Sequence, residues 1–337
     1  MTVRHSMPVL HWPGESAPAS DLVISCPFPA RVNRHLAQLT VDTERWIRAQ
    51  GMFSEQPDAD RLTSRFISHR YAEVHARMWP DAEYSGLWLA NRLLIQMWCL
   101  DNFLDEIWGV DQDDHANNVS ELIAAVLTGA ATPADAAVEP LAAVLLELWT
   151  EARTTALEHW LDRAAQTYLA YLATTIDDRT QRAANSIPTT AQYLASRNDG
   201  GGMFYAAALI EMANHAWLPD DLASRSEIID ISLRLNHAMA WANDLFAYPR
   251  EAAHGNGSNL VVILTTHGGL SEHEASAQVV DLINAELATL NFLCNAAAAL
   301  PDPAQRYAEG VRTTASGLLE WMGTTARYER GVSVPMR

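Results

Sequence analysis

The chain has 337 residues, and 49% of them are hydrophobic, which is enough to bury a large core in one domain. Its 41 acidic and 23 basic residues give a net charge of −18, which argues against nucleic-acid binding because that function needs a basic surface. Three widely spaced cysteines without a C-x-x-C pair are typical of a reduced, cytoplasmic protein. No signal peptide is recognisable, and no apolar run approaches ~20 residues, so we expect no membrane span.

Helical periodicity dominates the chain after its first residues. Residues 1–20 carry Pro, Ser and Gly without periodicity, which predicts a disordered leader. From residue 21 to residue 337 the apolar residues recur at spacings of three and four, which predicts a single all-α domain. A single β-like run, "NLVVIL" at 259–264, is too isolated to build a sheet. The predicted helices span 31–50, 58–78, 84–108, 116–129, 136–176, 189–198, 203–216, 221–250, 271–298 and 303–329.

Acidic residues interrupt a strongly apolar segment, "IQMWCLDNFLDEIWG" at 95–109. Asp101 and Asp105 lie four residues apart, on the same predicted helical face as Leu94 and Trp98. The opposite face is also apolar, which predicts a helix that is buried on all sides. Paired carboxylates on such a helix predict a site for a hard cation such as Mg²⁺, with a solvated patch at the helix end as the alternative.

A second polar set occurs downstream in "NHAMAWANDLFAYPREAAHGN", residues 236–256. Asn243 and Glu251 share one predicted helical face, and Arg250 flanks that face. Pro249 can kink the helix, which leaves the alignment of Glu251 open. An amide, a carboxylate and a nearby cation on a second helix indicate a diphosphate that is bound through several Mg²⁺ ions.

These two segments resemble the motifs of bacterial class I terpene synthases (terpene cyclases), and the likeness spans most of the chain. The aspartate-rich motif of that family is similar to "DNFLDE", which begins at Asp101 and closes with Asp105 and Glu106. Its N-D-x-x-S-x-x-x-E motif is similar to "NDLFAYPRE", which supplies Asn243, Asp244 and Glu251. The resemblance implies an α-helical bundle around a central apolar cavity.

The resemblance also assigns residues outside these two motifs. Arg197 stands where the family keeps an arginine that senses the diphosphate, and Arg327 and Tyr328 in "TTARYERG" stand where it keeps an Arg–Tyr pair. Arg250 stands where a diphosphate-binding Lys is common. The implied metal ligands are Asp101, Asp105, Asn243 and Glu251, and the implied substrate-binding residues are Arg197, Asn243, Arg250, Arg327 and Tyr328.

Two residues differ from the family pattern. Asn102 stands where a second Asp is usual, and Ala247 stands where a metal-binding Ser or Thr is usual. A water molecule can fill the missing coordination position, because Mg²⁺ readily retains waters. We therefore expect function to survive with weaker metal affinity.

Three consecutive glycines follow the sensor arginine in "SRNDGGGM". They predict a helix break at which backbone carbonyl groups can turn toward a substrate. In the family, a residue three positions after the sensor links it to an effector carbonyl one position further on, which gives Gly200 and Gly201 here. An acidic linker would have to be Asp199, so both registers stay open.

The implied reaction begins when the diphosphate leaves, and three Mg²⁺ ions together with Arg and Tyr donors stabilise its charge. The resulting carbocation then cyclises against an apolar and aromatic wall. Trp98, one turn before Asp101, and Trp321, shortly before Arg327, are the candidates for cation–π stabilisation. Ordinary core packing is the alternative for each, because the chain has 11 Trp residues.

The sequence therefore predicts a Mg²⁺-dependent terpene synthase that acts on a linear isoprenyl diphosphate, farnesyl or geranylgeranyl diphosphate. A trans-prenyltransferase is the enzymatic alternative, but the second D-D-x-x-D motif and the basic co-substrate pocket that it needs are not found. A non-catalytic protein that binds a prenyl diphosphate is another alternative, which Asn102 and Ala247 keep open. Family members are often dimers, so the resemblance gives a homodimer as the expected assembly.

Overall fold

The structure is a computed structural model, and it describes residues 22–184 and 186–328. Helices make up 78% of it, and the described residues form no β-strand, so the prediction of an all-α domain is confirmed. None of the helices in these ranges is both long enough and apolar enough to span a lipid bilayer. The predicted leader, residues 1–20, lies outside the described residues.

Fifteen α-helices occur in the described ranges, and a single π-helical turn, Phe103–Ile107, follows the fourth. A short 3₁₀ turn, Ala326–Tyr328, ends the described chain. The α-helices are α1 (Leu36–Gln50), α2 (Ala59–Ser68), α3 (Tyr71–Met78), α4 (Tyr84–Asn102), α5 (Asp113–Thr128), α6 (Pro133–Ala136), α7 (Pro140–Thr155), α8 (Glu158–Ala183), α9 (Thr190–Gly200), α10 (Met203–Asn214), α11 (Asp220–Ala223), α12 (Ser226–Ala253), α13 (Leu260–Gly268), α14 (Glu272–Ala296) and α15 (Asp302–Met322).

Several predicted helices are divided in the structure; the helix predicted at 221–250, for example, is split between α11 and α12. Two further breaks fall inside the predicted helices 58–78 and 136–176. The predicted helix 58–78 breaks before α3, where Arg70 has a left-handed φ of 60°. The predicted helix 136–176 breaks at Ala156 and Leu157, which are both extended. Neither of these two breaks contains the Gly or Pro residues that mark most helix ends, so the sequence did not predict them.

The β-like run at 259–264, which the sequence left outside its predicted helices, builds no sheet and instead forms the first turns of α13. The side chain of Asn259 accepts hydrogen bonds from the backbone N–H groups of Val261 and Val262, which starts the helix. The apolar side chains of α13 then pack against α12 and α14. Tertiary packing thus overrides the intrinsic preference of Val and Ile for strands.

Helix α8 continues beyond its predicted end at residue 176 and includes Asp177 and Asp178, which the sequence placed in a break. The guanidinium of Arg179 explains the extension, because it is buried against the end of the π turn. It donates hydrogen bonds to the carbonyl oxygens of Leu104, Trp108 and Gly109, and to Asp113. These contacts bring the last turns of α8 next to the segment that follows α4.

Two long helices, α4 and α12, carry five of the twelve predicted site residues and lie deep in the protein. Leu87, Leu94 and Leu100 of α4 are fully buried, as the apolar pattern on both of its faces predicts. Helix α12 packs against α14 and α15, and α15 in turn packs against α3. This arrangement directs the C-terminal ends of α4, α8, α12 and α15 toward one cavity.

The contact between α15 and α3 requires a glycine. A Cβ atom at Gly317 would lie 2.6 Å from the backbone carbonyl carbon of Arg77 and 2.7 Å from the backbone nitrogen of Met78. Backbone atoms cannot move aside as a flexible side chain can. The two helices can therefore approach this closely only because position 317 has no side chain.

We predict that Gly317→Ala lowers the free energy of unfolding by about 2 kcal/mol, because the added methyl group overpacks this contact. Helix propensity alone would give the opposite sign, a gain of about 1 kcal/mol. Urea denaturation followed by circular dichroism measures the difference. Gly268→Ala is the control, since a Cβ there meets only Leu270 at 3.7 Å, and it should cause no loss of stability.

Candidate active site

One cavity contains all twelve residues that the sequence selected. It has a volume of about 120 Å³ and opens into a wider mouth of about 560 Å³. The cavity lies between α3, α4, α8, α9, α12 and α15. The selected residues that line it are Trp98, Asp101, Asp105, Arg197, Gly200, Gly201, Asn243, Arg250, Glu251, Trp321, Arg327 and Tyr328.

The π-helical turn after α4 places Asp105 at the cavity. It closes with a hydrogen bond from the backbone N–H of Trp108 to the carbonyl oxygen of Phe103, at 2.9 Å. Asp101 belongs to the regular helix just before this turn, and both carboxylates line the cavity. Single π turns inside helices are frequent at functional sites.

Asp101 is held in place from two sides. Its carboxylate accepts a hydrogen bond from the hydroxyl of Tyr171 at 2.9 Å and one from the guanidinium of Arg327 at 3.1 Å. Burial raises the pKa of Asp101, and the negative charge of Asp105 raises it further, while Arg327 lowers it. Asp101 is partly buried and Asp105 is exposed at the cavity, and a cation between two carboxylates that repel each other is stabilising.

Asn243 and Glu251 face the same cavity from α12, which continues through Pro249 to Ala253. The alignment of Glu251, left open by the sequence, is therefore that of an uninterrupted helix. A hydrogen bond from the side-chain amide of Asn259 holds its carboxylate at 2.8 Å. Burial and the nearby charge of Asp244 raise the pKa of Glu251 to about 7.

The carboxylate of Asp244, the residue next to Asn243, points away from the cavity. It is 1% exposed and accepts hydrogen bonds from the hydroxyl of Tyr193 and from the backbone N–H of Leu260. It also forms an ion pair of 2.6 Å with Arg197. The motif that resembles N-D-x-x-S-x-x-x-E therefore turns one residue toward the cavity and the next into the protein.

Arg197 joins α9 to α12. Its guanidinium donates to the side-chain oxygen of Asn243 at 3.1 Å and to the carbonyl oxygen of Ala240 at 3.2 Å. The predicted helix break follows at Gly202, which has a left-handed φ of 65°. Gly200 and Gly201 line the cavity, whereas Asp199 faces a separate surface pocket beside Arg163.

The last described residues close the cavity opposite α4. Arg327 donates to the hydroxyl of Tyr71 at 2.8 Å in addition to its contact with Asp101. Asn243 donates from its side-chain amide to the hydroxyl of Tyr328 at 2.6 Å. The C-terminal turn therefore contacts both helices that carry the acidic motifs.

The aromatic wall contains both selected tryptophans. The rings of Trp98 and Trp321 are stacked, with centroids 5.6 Å apart, and Tyr71 packs against both of them. The indole N–H of Trp321 is already engaged, because it donates to the carbonyl oxygen of His69 at 2.8 Å. The wall can therefore offer ring faces to an apolar or cationic group, while its polar N–H is turned into the protein.

All cationic side chains at the cavity are arginines, since the chain contains no lysine. Arg250 forms an ion pair of 2.6 Å with Glu106, which also pairs with Arg65. Together with the contact of Arg327 and Asp101, these pairs distribute opposite charges across the cavity and its mouth. Guanidinium groups suit the planar, bidentate recognition of phosphate oxygens.

Sequence reasoning missed the part of the site that α8 contributes. Tyr171, Thr175, Asp178 and Arg182 all line the cavity. Their spacing of four, three and four is a helical face of polar residues, and this pattern could have identified them. It was overlooked because the sequence placed Asp178 and Arg182 beyond the end of the helix.

The cavity is lined by carboxylate and amide oxygens, which are the ligands that a hard divalent cation prefers. Within residues 22–184 and 186–328, however, no three His, Cys, Asp or Glu side chains converge closely enough to hold a metal ion by themselves. A cation here would need waters or phosphate oxygens to complete its coordination. Mg²⁺ has this preference, because it keeps several waters and is often shared with substrate phosphates.

Comparison with known proteins gives a family match. The family model described as terpene synthase family 2, C-terminal metal binding, matches residues 92–289. This range includes both acidic motifs and Arg197, and it covers more than half of the chain.

Similar proteins carry related names. Pristinol synthase from Streptomyces pristinaespiralis is 26% identical over 91% of this chain and 84% of its own length. The 4-epi-cubebol synthase of Streptosporangium roseum, described as cyclising (2E,6E)-farnesyl diphosphate, is 26% identical over 90% of this chain and 91% of its own. The solved structure of linalool/nerolidol synthase from Streptomyces clavuligerus has a TM-score of 0.77 at 23% identity, covering 89% of this chain and 99% of that one, which shows a shared fold.

Behind the aromatic wall, His75 is buried and neutral. It is 0% exposed, and its Nδ1–H donates to the side-chain oxygen of Asn91 at 2.8 Å, while Nε2 has no hydrogen-bond partner among the described residues. Its ring stacks on Trp79 and lies 5.0 Å from the ring of Trp98. Burial lowers the pKa of His75 to about 4, and the contact with Asn91 offsets part of that effect.

We predict that this histidine makes the protein less stable in acid. Its contribution is fully present above the unfolded pKa of about 6.5 and is lost as the pH falls toward 4, because the unfolded chain takes up a proton that the folded chain rejects. The loss amounts to about 3 kcal/mol at pH 4. Urea denaturation of His75→Gln between pH 7 and 4 should show a shallower decline than the unaltered protein.

The control for this experiment is His273→Gln, which replaces an exposed histidine of α14. Its stability should follow that of the unaltered protein at every pH. If His75→Gln also follows it, the buried histidine does not determine the acid response.

Proposed function

Because the chain belongs to terpene synthase family 2, we propose that it ionises a linear isoprenyl diphosphate and cyclises the resulting allylic cation. Diphosphate is released, and the product is a sesquiterpene or diterpene. The observation that carries the proposal is that three arginines and a tyrosine meet the four predicted metal ligands in one cavity lined by stacked tryptophans. The farnesyl diphosphate named for the Streptosporangium relative favours that substrate over geranylgeranyl diphosphate.

Asp101, Asp105, Asn243 and Glu251 are the proposed ligands of Mg²⁺, three ions of which accompany the diphosphate. When bound, these ions neutralise the charge of the leaving group and so favour cleavage of its bond to carbon. The raised pKa values of Asp101 and Glu251 support the assignment, because both carboxylates are buried near other negative charges. A divalent cation would stabilise their ionised forms.

Arg197, Asn243, Arg250, Arg327 and Tyr328 are the proposed diphosphate-binding residues. Arg327 and Arg250 are paired with Asp101 and Glu106, so each can exchange a carboxylate for a phosphate oxygen at short range. Their donors would meet the charge that develops on the leaving group. Positive charge from three elements then surrounds the diphosphate.

The carbocation would be stabilised by ring faces and backbone dipoles. Trp98 and Trp321 offer π faces to it. Gly200 and Gly201 lie beside the same cavity at the helix break, where carbonyl oxygens can face the reacting carbon. The position of Asp199 in another pocket supports the register in which Gly200 and Gly201 are the linker and the effector.

The alternatives are less well supported. The relatives bear the names of synthases, which favours an enzyme over a non-catalytic binding protein. A trans-prenyltransferase would need a second basic site for its co-substrate, and the arginines at this cavity are accounted for by one diphosphate. We place the reaction in the cytoplasm, which suits three cysteines without a disulfide in the described residues, and we propose a homodimer.

The direct test is incubation of the purified protein with geranyl, farnesyl and geranylgeranyl diphosphates, with Mg²⁺ or with EDTA. Mass spectrometry of a hexane extract should show a terpene from farnesyl diphosphate only when Mg²⁺ is present. Intact diphosphates in every reaction would overturn the proposal. Asp101→Ala should abolish turnover, because it removes a proposed metal ligand, whereas Asp111→Ala, at an exposed position of the 3₁₀ turn Val110–Gln112, should retain it.

A second prediction concerns Ala247, which lies on α12 between Asn243 and Glu251 and is 1% exposed. Ala247→Ser adds a hydroxyl group one turn from each of these proposed ligands. The Mg²⁺ concentration for half-maximal turnover should fall by about tenfold, as expected for a gained coordinating group. Ala247→Val, which fills space without an oxygen, is the control, and an unchanged Mg²⁺ requirement in Ala247→Ser would refute the assignment of this helical face to a metal ion.

A further inference from the structure

Arg182 lies in the last turn of α8 and lines both the cavity and its mouth. Its guanidinium forms an ion pair of 2.9 Å with Asp105 and a longer hydrogen bond of 3.4 Å to the carbonyl oxygen of Leu104. The side chain is 22% exposed, so it borders the space that a ligand would occupy. No motif in the sequence assigns a role to this residue.

Arg179, one turn earlier on α8, shows what a structural arginine looks like in this fold. Its side chain is 7% exposed, and its guanidinium contacts three backbone carbonyl groups and Asp113. These acceptors all belong to the protein, so Arg179 needs no ligand to satisfy its guanidinium. Arg182 has one ionic partner in the described part of the chain, and that partner is itself a proposed metal ligand.

The pairing of Arg182 would therefore change when Asp105 coordinates a metal ion. A carboxylate that coordinates a divalent cation no longer balances a neighbouring arginine, and an unpaired guanidinium in a partly buried place is costly. The diphosphate bound to the same cations is the anion within closest reach. Asp178, one turn before Arg182 and close enough to interact with it electrostatically, is the competing partner.

We propose that Arg182 is a substrate-binding residue that exchanges Asp105 for an oxygen of the diphosphate. This inference rests on the proposed function and extends it by a fourth arginine, supplied by α8. The diphosphate is then held from α8, α9, α12 and the C-terminal turn. Arginine suits the role because its planar fork can leave a carboxylate and donate to a phosphate with the same geometry.

The test uses inorganic diphosphate and isothermal titration calorimetry at saturating Mg²⁺. Arg182→Gln should weaken diphosphate binding by about 10- to 100-fold, the range for a lost charge-assisted hydrogen bond. Arg182→Lys keeps the charge without the fork and should lose less. Arg306→Gln is the matched control, because Arg306 also pairs with a single carboxylate, Asp302 at 3.1 Å, near the N-terminal end of α15 and so about 20 Å from the cavity.

The outcomes distinguish a failure of the proposed function from a failure of the role proposed for Arg182. If the unaltered protein does not bind Mg²⁺ and diphosphate together, the proposed function itself fails. If it binds them and Arg182→Gln binds them equally well, only the role of Arg182 is wrong, and Asp178 is its partner. If Arg182→Gln changes the affinity for Mg²⁺ measured without diphosphate but not the affinity for diphosphate at saturating Mg²⁺, Arg182 only orients Asp105, and the proposal is overturned.

Discussion

The carboxylate of Asp244 is the contact on which the arrangement of the site depends. It lies on α12, receives hydrogen bonds from Tyr193 and Arg197 of α9, and caps the start of α13 through Leu260. An ion pair this deep loses much of its hydration, so it is stable only because several donors satisfy the carboxylate together. With three helices fixed in this way, Arg197 is held against Asn243 at the edge of the cavity.

Ion pairs also join several elements at the mouth of the cavity, where the side chains are less buried than Asp244. The acidic residues in the last turn of α4 and in the π turn after it pair with Arg327, Arg182 and Arg250, which come from the C-terminal turn, α8 and α12. These pairs connect elements that are distant in the sequence, and they balance opposite charges at the place where the proposed diphosphate would bind. A ligand that brings both anionic and cationic groups can replace such pairs without leaving either partner uncompensated. This is the property expected of a site for a metal-bound diphosphate.

How far the site could be read from the sequence depends on whether its residues form local patterns. The residues of α4 and α12 lie at spacings of three and four inside long helices, so their shared faces follow from helical geometry alone. The contribution of α8 does not, because its last two turns exist through the contacts of Arg179 with carbonyl groups more than 70 positions earlier. The β-like run "NLVVIL" becomes helical because Asn259 caps the start of α13 and because α13 packs against α12 and α14.

The sequence by itself determined the all-α class and the two acidic helical faces, since both depend on local periodicity and spacing, and its motifs carried the resemblance to the family. Only the tertiary structure decided which of two neighbouring residues reaches the cavity. Asn243 faces it and Asp244 does not, and Gly201 faces it while Asp199 lines another pocket. One step along a helix turns a side chain by about 100°, and the rotation of each helix about its axis is set by the packing of its neighbours.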